Sequence, residues 1–184
     1  MDDHLTPRQK QFLQQLNDAH QRLLASIQGL DETTLCSVPV LGQWTVKDIL
    51  GHLVSWDQEF RLEIREILGG KHPGLLRLIS GEDDFAEWNQ KNYADKKEWS
   101  WERVLSEYEA DIAEAEEMIL SLTPAEYRQR GLPAWKHPAL PEPELLSRDD
   151  TEPVSSIITW HWRHINQHVR DIGRWRRKLP GKTR

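Results

Sequence analysis

The stretch from Val154 to Trp175 has the apolar spacing of a long helix and carries three of the eight histidines of this 184-residue chain. At about 100° per residue, His161, His164 and His168 fall within an arc of roughly 60°. The apolar residues on the same side of this helix are Val154, Ile157, Ile165, Ile172 and Trp175. Because that side of an amphipathic helix faces the core, the three imidazoles are predicted to point inward.

Inward imidazoles need partners for their ring nitrogens, and a lone buried histidine usually finds one in the protein core. Three on one helix face are harder to satisfy in that way, and a metal ion meets the need most simply. His164 and His168 are four residues apart, which places them on adjacent turns where both can bind one ion. The pattern therefore predicts a metal site inside a helical protein.

Composition narrows the classes of partner. The net charge is −6 and 29% of the residues are charged, which opposes general binding to nucleic acid or to anionic membranes, since both reward clustered positive charge. We expect a small-molecule partner, and a homodimer is possible. The only cysteine, Cys36, allows no intramolecular disulfide. Residues 1–13 lack a signal-peptide pattern, and no apolar run reaches the ~18 residues of a membrane span, so the expected location is the cytoplasm.

Basic residues are concentrated at the carboxyl end, where residues 170–184 contain seven basic side chains and one acidic one. Positive charge at the end of a helix interacts favourably with the helix dipole and with free carbonyl groups. This explanation does not require nucleic acid, and we expect that the chain binds none.

Helix-starting signals precede three long apolar patterns. Thr6 and Pro7 open the first helix, Thr45 and Asp48 form a capping box at the second, and Ser100 begins the third. The predicted long helices are 7–28, 45–70, 100–122 and 154–175. Four helices with apolar seams predict an all-α protein, a four-helix bundle formed by a single domain over residues 1–184.

Two connections are long enough to reach a site at one end of such a bundle. Residues 71–98 suggest a short extra helix, in which Trp88 and Asn89 could face the site, although Trp88 could instead simply plug the bundle end. Residues 132–146 are rich in proline and include Trp135, and we expect them to form a packed lid over the site. A fixed wall without function is the alternative.

His52 lies about 60° to one side of the apolar stripe of the second helix, where its side chain can reach a neighbouring helix. Taken alone, it could equally be a partly buried histidine bonded to a backbone carbonyl. The three histidines of the last helix make a shared site the more attractive interpretation.

Several motifs, in order, carry a resemblance to a known family: GQWTVKDILGHL opens the second helix, FAEWN precedes the third, SWERVLSEY starts the third, and HINQHVRDI lies in the last. Together they resemble the DinB-like, or DinB/YfiT-like, superfamily of metalloenzymes over nearly the whole chain. The resemblance implies a bundle with helices running up, down, down and up. It also implies that His52, His164 and His168 are the metal ligands.

Two positions depart from the family pattern. His161 is an additional inward histidine, and Asp171 stands where many relatives have glutamine. Asp171 could orient His164 or His168 through the free ring N–H, as carboxylates often do beside metal ligands, or it could be a surface residue beside arginines. His161 is the candidate catalytic acid or base, with a role as a core histidine as the alternative.

The resemblance implies a metal-dependent enzyme, since relatives include thiol-dependent transferases and isomerases as well as enzymes that modify reactive small molecules. Zinc is the first choice for three histidines, and nickel, iron, cobalt or manganese also accept nitrogen ligands. We expect a transferase that uses a low-molecular-weight thiol, or a hydrolase that uses water, acting on a small electrophile. The rival hypotheses are a protein that sequesters a hydrophobic small molecule and a structural dimer with a vestigial metal site.

Overall fold

The computed structural model describes residues 5–71, 82–131 and 151–179. The helices in this part of the chain are α1 (Pro7–Ile27), α2 (Glu32–Ser37), α3 (Val46–Leu68), α4 (Glu82–Lys96), α5 (Trp101–Ser121) and α6 (Val154–Arg176). A 3-10 turn covers Glu126–Arg128, and the two-residue strands β1 (Arg130–Gly131) and β2 (Glu152–Pro153) pair in antiparallel register. The predicted all-α class is confirmed.

The long helices begin where their capping residues predicted. Thr6 and Gln9 form a capping box at α1 and Thr45 and Asp48 form one at α3, while Ser100 accepts a hydrogen bond from the backbone of α5. Such caps satisfy backbone N–H groups that the helix itself leaves free, and each is worth about 1 kcal/mol. The starts of these helices are therefore fixed locally by the sequence.

The direction of α1 relative to its neighbours follows from contacts at the helix ends. Arg176, at the end of α6, donates a hydrogen bond to the carbonyl of Ser26, near the end of α1, at 2.6 Å, so these two helices are parallel. Gln9, near the start of α1, donates to the carbonyl of Leu120, near the end of α5, at 3.0 Å. Helices α1 and α5 are therefore antiparallel.

Contacts of α3 give the remaining directions. Lys47, at its start, donates to the carbonyl of Trp99, just ahead of α5, at 3.1 Å, so α3 and α5 are parallel. At its other end, Gln129 donates to the carbonyl of Ile67 at 2.7 Å and accepts from the N–H of Val154, the first residue of α6, at 2.9 Å. Helices α3 and α6 are antiparallel, and the up, down, down, up order is confirmed.

The core lies between the four long helices and is formed by the seams that their spacing predicted. Its largest fully buried apolar side chains are Leu16, Leu23, Ile49, Leu50, Leu53, Tyr108, Ile157, Ile165 and Ile172. Full burial of one such aliphatic side chain stabilises the fold by roughly 1.5–3 kcal/mol. The bundle thus has a core that is independent of any ligand.

Two local features differ from the sequence expectation. The connection between the first two predicted long helices contains a short helix that the sequence patterns did not predict, α2, at whose start Asp31 accepts a hydrogen bond from Thr34. The strand pair β1 and β2 was not predicted. It brings Gly131 so close to Ile67 that an added Cβ would lie 2.4 Å from that side chain. The strand pair therefore anchors the start of α6 against the end of α3.

The expected lid at 132–146, with Trp135, lies outside the described residues and stays a prediction. Within the described ranges, no helix is both long and apolar enough to cross a membrane.

Candidate metal centre

The start of α3 positions His52. Asp48 accepts a hydrogen bond from the backbone N–H of Thr45 at 2.9 Å, which fixes the first turn, and His52 follows one turn later. Trp44, directly ahead of the helix, is held in a tight turn because its carbonyl accepts a hydrogen bond from Val40 at 2.7 Å. The rings of Trp44 and His52 lie 4.9 Å apart. The imidazole is therefore placed by both the helix and the preceding turn.

The imidazoles of α3 and α6 meet at one point. The Nε2 atom of His164 lies 3.1 Å from Nε2 of His52 and 3.2 Å from Nε2 of His168. Ligand atoms of all three side chains lie within 4.8 Å of one another. The structure therefore brings together the two helices that the sequence predicted would share a site.

These distances fit a single small ion. Nitrogen ligands about 2.05 Å from a tetrahedral zinc ion are about 3.3 Å apart, close to the two separations between His164 and its neighbours. A direct hydrogen-bond network fits less well, since one neutral imidazole can donate from only one of its nitrogens. His52, His164 and His168 could therefore hold a divalent metal ion.

The electrostatics of the three rings also suit a metal. Burial lowers the pKa of His52 to about 3, with smaller contributions from His168 and Lys96. Burial likewise lowers the pKa of His168 to about 4, against the opposing effect of Asp171 and Asp57, and holds the pKa of His164 well below its ordinary value. All three are therefore neutral at pH 7, which is the form that binds metal.

The Nδ1 nitrogens of these three rings have few hydrogen-bonding groups around them among the described residues. The Nδ1 atoms of His52, His164 and His168 are buried and have no hydrogen-bond partner among the described residues. One carboxylate oxygen of Asp171 lies 3.6 Å from Nδ1 of His168, and the other lies 3.5 Å from Arg174. Asp171 therefore sits beside the ligand pair, slightly beyond hydrogen-bonding distance.

A cavity of about 430 Å³ opens onto the three imidazoles. Its lining residues are Trp44, His52, Trp56, Phe60, Phe85, Asn89, Trp160, His164, Gln167 and His168. Asn89 accepts a hydrogen bond from the indole N–H of Trp56 at 2.9 Å, so α4 is tied to α3 across the cavity wall. Volumes of this size are typical of small-molecule sites, as is a largely apolar lining with few polar groups.

Several predicted pocket residues have other positions or neighbours. Asn89 lines the cavity as expected, whereas Trp88 is absent from its lining and packs with a ring distance of 4.5 Å on Trp56. Trp56 and Phe60 line the cavity and were not among the predicted pocket residues. Their positions four and eight residues after His52 were the available signal, because that spacing places all three on one side of α3.

His161 faces a different part of the bundle. It is buried, is absent from the cavity lining, and its Nε2 atom lies 2.9 Å from Oδ1 of Asp57. The two atoms are close, but the imidazole N–H is not aligned with that oxygen, so the contact is not a well-formed hydrogen bond. Asp57 is fully buried on α3. The geometry supports the core role that the sequence left open for His161, and its catalytic role stays a prediction.

A family model described as the DinB superfamily matches residues 15–172. The chain belongs to the DinB superfamily. The resemblance seen in the sequence motifs is thereby confirmed. No curated protein matches this DinB superfamily chain.

Solved structures share the fold at low sequence identity. YfiT from Bacillus subtilis, described as a probable metal-dependent hydrolase with an unusual four-helix bundle topology, is 15% identical with a TM-score of 0.64, covering 99% of this chain and 94% of YfiT. The mycothiol-dependent maleylpyruvate isomerase is 11% identical with a TM-score of 0.66, covering 90% of this chain and 60% of the isomerase.

The colibactin self-resistance protein ClbS, solved in complex with double-stranded DNA, is also similar. It is 11% identical with a TM-score of 0.68, and the match covers 93% of this chain and 96% of ClbS. At such identities the likeness shows a common fold, and the activities of these proteins differ from one another.

Proposed function

We propose that this protein is a divalent-metal-dependent enzyme that acts on a small electrophile, either as a hydrolase or as a thiol-dependent transferase. The observation that carries the proposal is the group of three buried, neutral imidazoles at a cavity with aromatic walls. The membership of the chain in the DinB superfamily, whose fold is shared by a probable metal-dependent hydrolase and a thiol-dependent isomerase, supports it.

His52, His164 and His168 would hold the ion, and their burial keeps them in the neutral form that binding needs. Zinc is our first choice, with nickel, iron, cobalt or manganese as alternatives, since all accept nitrogen ligands. A divalent ion with an open position lowers the pKa of bound water to about 7 and so supplies a nucleophile at neutral pH.

The cavity walls would select and hold the substrate. Trp44, Trp56 and Phe60 supply apolar faces beside the imidazoles, and such faces exclude water and favour a flat, uncharged reacting group. Gln167 supplies a polar side chain at the same cavity. Asp171, at 3.6 Å from Nδ1 of His168, would orient that ring through a small shift.

Turnover with and without chelator tests the proposal. Purified protein is assayed with p-nitrophenyl acetate for hydrolysis and with 1-chloro-2,4-dinitrobenzene plus a low-molecular-weight thiol for transfer, alongside elemental analysis. We expect about one divalent ion per chain and an activity that chelator removes and added metal restores. The His164→Ala variant should lose both the ion and the activity.

His20→Ala is the matched control, because His20 is a half-buried histidine on α1 that lies outside the cavity lining. It should keep the metal and the activity. Equal activity in wild type and His164→Ala, with chelator having no effect on either, would exclude a metal-dependent reaction at this site.

A second candidate is a protein that sequesters a hydrophobic small molecule without turnover. The aromatic lining of the cavity favours it, because five of the ten lining residues are Trp or Phe. Stoichiometric binding of an aromatic compound with no product, in metal-loaded protein, would support this candidate. A structural dimer with a vestigial metal site stays a prediction, and would show neither binding nor turnover.

We propose a small-molecule partner in preference to duplex DNA, although ClbS was solved with double-stranded DNA. The net charge of −6 opposes binding to a polyanion. The cavity at the imidazoles is also of the size that suits a small molecule.

A further inference from the structure

A second cleft lies on the outer side of α6, next to α1, and its chemistry differs from that of the metal cavity. Its volume is about 630 Å³, within the range of small-molecule sites. Its lining residues are Arg22, Trp160, Trp162, Arg163, Asn166, Gln167 and Arg170. Among the described residues, this lining contains three guanidinium groups and no carboxylate, in a protein whose net charge is negative.

The arginines of this basic cleft have few partners among the described residues. Within that part of the chain, neither Arg22 nor Arg170 has an ion pair, and Arg163 lies over the ring of Trp162, at 5.4 Å. All three are exposed. Arg61, in contrast, has a clear structural partner, since it pairs with Asp111 inside the core. Guanidinium groups present a planar fork of N–H donors that matches carboxylate and phosphate.

Helix α6 connects the basic cleft to the metal cavity. Trp160 and Gln167 line both. At about 100° per residue, Trp160, Arg163, Gln167 and Arg170 fall within an arc of roughly 80° on one side of α6. Trp160 is 41% exposed although it is a large apolar side chain. A ligand lying over Trp160 would therefore contact both compartments.

We propose that the basic cleft binds the carboxylate or phosphate of a small organic anion whose flat apolar part extends across Trp160 into the metal cavity. Arg22 and Arg170 bind the anionic group from α1 and α6, and Gln167 lies at the junction of the two compartments. The anion site stands on the cleft alone. The assignment of the apolar part as the reacting end rests on the proposed function.

Binding of three simple probes tests the proposal. Isothermal titration with 1-naphthyl phosphate, 1-naphthol and inorganic phosphate is carried out on the protein as purified and after chelator treatment. We expect 1-naphthyl phosphate to bind more tightly than either 1-naphthol or phosphate. The double variant Arg22→Gln/Arg170→Gln should weaken 1-naphthyl phosphate by about tenfold to a hundredfold, since charged hydrogen bonds are lost, and should leave 1-naphthol binding unchanged.

The matched control is Lys10→Gln/Arg177→Gln, which removes the same charge from α1 and from the residue that follows α6, outside the cleft lining. It should bind 1-naphthyl phosphate as the wild type does. Equal weakening by both double variants, or 1-naphthol binding as tight as 1-naphthyl phosphate, would overturn the proposal. The proposal would also be overturned if a 20-base-pair DNA duplex bound more tightly than 1-naphthyl phosphate and depended on Arg22 and Arg170 in the same way.

The two proposals fail separately in this experiment. If chelator removes the metal and 1-naphthyl phosphate still binds through the arginines, the anion site is supported, whatever the turnover assays give. If uncharged electrophiles are turned over in a metal-dependent way but Arg22 and Arg170 do not contribute to anion binding, the anion site is excluded and the proposed function is supported.

Discussion

His161 and His164 lie less than one turn apart on α6, yet their imidazoles have different surroundings. His164 meets His52 and His168 at a cavity of about 430 Å³. His161 meets the fully buried carboxylate of Asp57, next to a space of only about 10 Å³. One helix face thus carries an open cluster of neutral nitrogen atoms and a closed contact between an imidazole and a carboxyl group.

The two regions also differ in their chemistry and in the space around them. In the open cluster, the Nδ1 atoms are buried without a partner among the described residues, and burial keeps the rings neutral. In the closed region, the Asp57 oxygens and Nε2 of His161 also lack a hydrogen bond among the described residues, but the imidazole lies 2.9 Å from the carboxyl group, and Arg61 one turn later pairs with Asp111. Neutral nitrogens beside free space are suited to a ligand, whereas a closely packed polar contact is suited to holding helices together.

The largest expected effect is a separation of metal binding from stability by two alanine variants. His161→Ala leaves a cavity beside the fully buried side chain of Asp57 and removes the polar group that lies against it. Together these losses cost about 3–5 kcal/mol in the free energy of unfolding, while metal content stays at one ion per chain. His164→Ala loses the metal and, compared in metal-free protein, loses much less stability. Urea unfolding and elemental analysis measure the two properties.

A double-mutant cycle provides the control for this separation. Asp57→Ala/His161→Ala should be less destabilised than the sum of the two single variants, because residues in contact do not act independently. If His161→Ala instead loses the metal and keeps its stability, His161 belongs to the metal site and the division of the helix face is wrong.

The sequence predicted the four long helices because their information is local. Capping residues such as Thr45 and Ser100 fix where a helix begins, and apolar spacing identifies the face that is buried. The inward direction of His161, His164 and His168 follows from the same spacing. Family motifs were needed to connect His52 with the last helix, because spacing within one helix says nothing about which helix lies opposite.

The sequence alone could not predict that His161 and His164 have different neighbours, since these depend on which α3 side chain lies opposite each turn of α6. Asp57 carried a signal that was not used: it lies four residues after Leu53 and three before Phe60, at a position of the apolar stripe. A carboxylate at such a position needs a buried partner. The basic cleft required the packing of α1 on α6, which no pattern in either helix specifies.

Metal binding should raise stability by a smaller amount, and only through the open cluster. At a free metal concentration a hundredfold above Kd, the folded state gains about 2.7 kcal/mol, which corresponds to a rise in Tm of roughly 5–11 °C for a chain of this size. Scanning calorimetry with and without zinc measures the shift. His52→Ala should show none.

Helical circular dichroism of the metal-free protein accompanies this measurement. The four apolar seams form a core without the ion, so the helical signal should persist. An unfolded metal-free protein would show that the open cluster, like the closed region, is part of what holds the bundle together.

The smallest effect is a pH dependence of metal-free protein. The pKa of His52 is lowered to about 3 in the folded state, below the ordinary value of about 6.5 in the unfolded state. Between these values the unfolded state binds more protons, so stability is fully present above pH 6.5 and decreases as the pH falls. From pH 6.5 to 5.5 the decrease from one such ring is about 1 kcal/mol.

Comparison with His52→Gln isolates this contribution, because glutamine does not titrate. The effects of other titrating groups are present in both proteins and nearly cancel in the difference between them. Asp111 is such a group, since burial raises its pKa to about 6 even though Arg61 opposes the shift, and its effect on stability has the opposite sign. Urea unfolding of both chelator-treated proteins at pH 6.5 and 5.5 should show a fall about 1 kcal/mol smaller in His52→Gln. Equal falls would mean that His52 reaches solvent and protonates freely, and the open cluster would then lack the buried, neutral imidazole that sets it apart from the Asp57 contact.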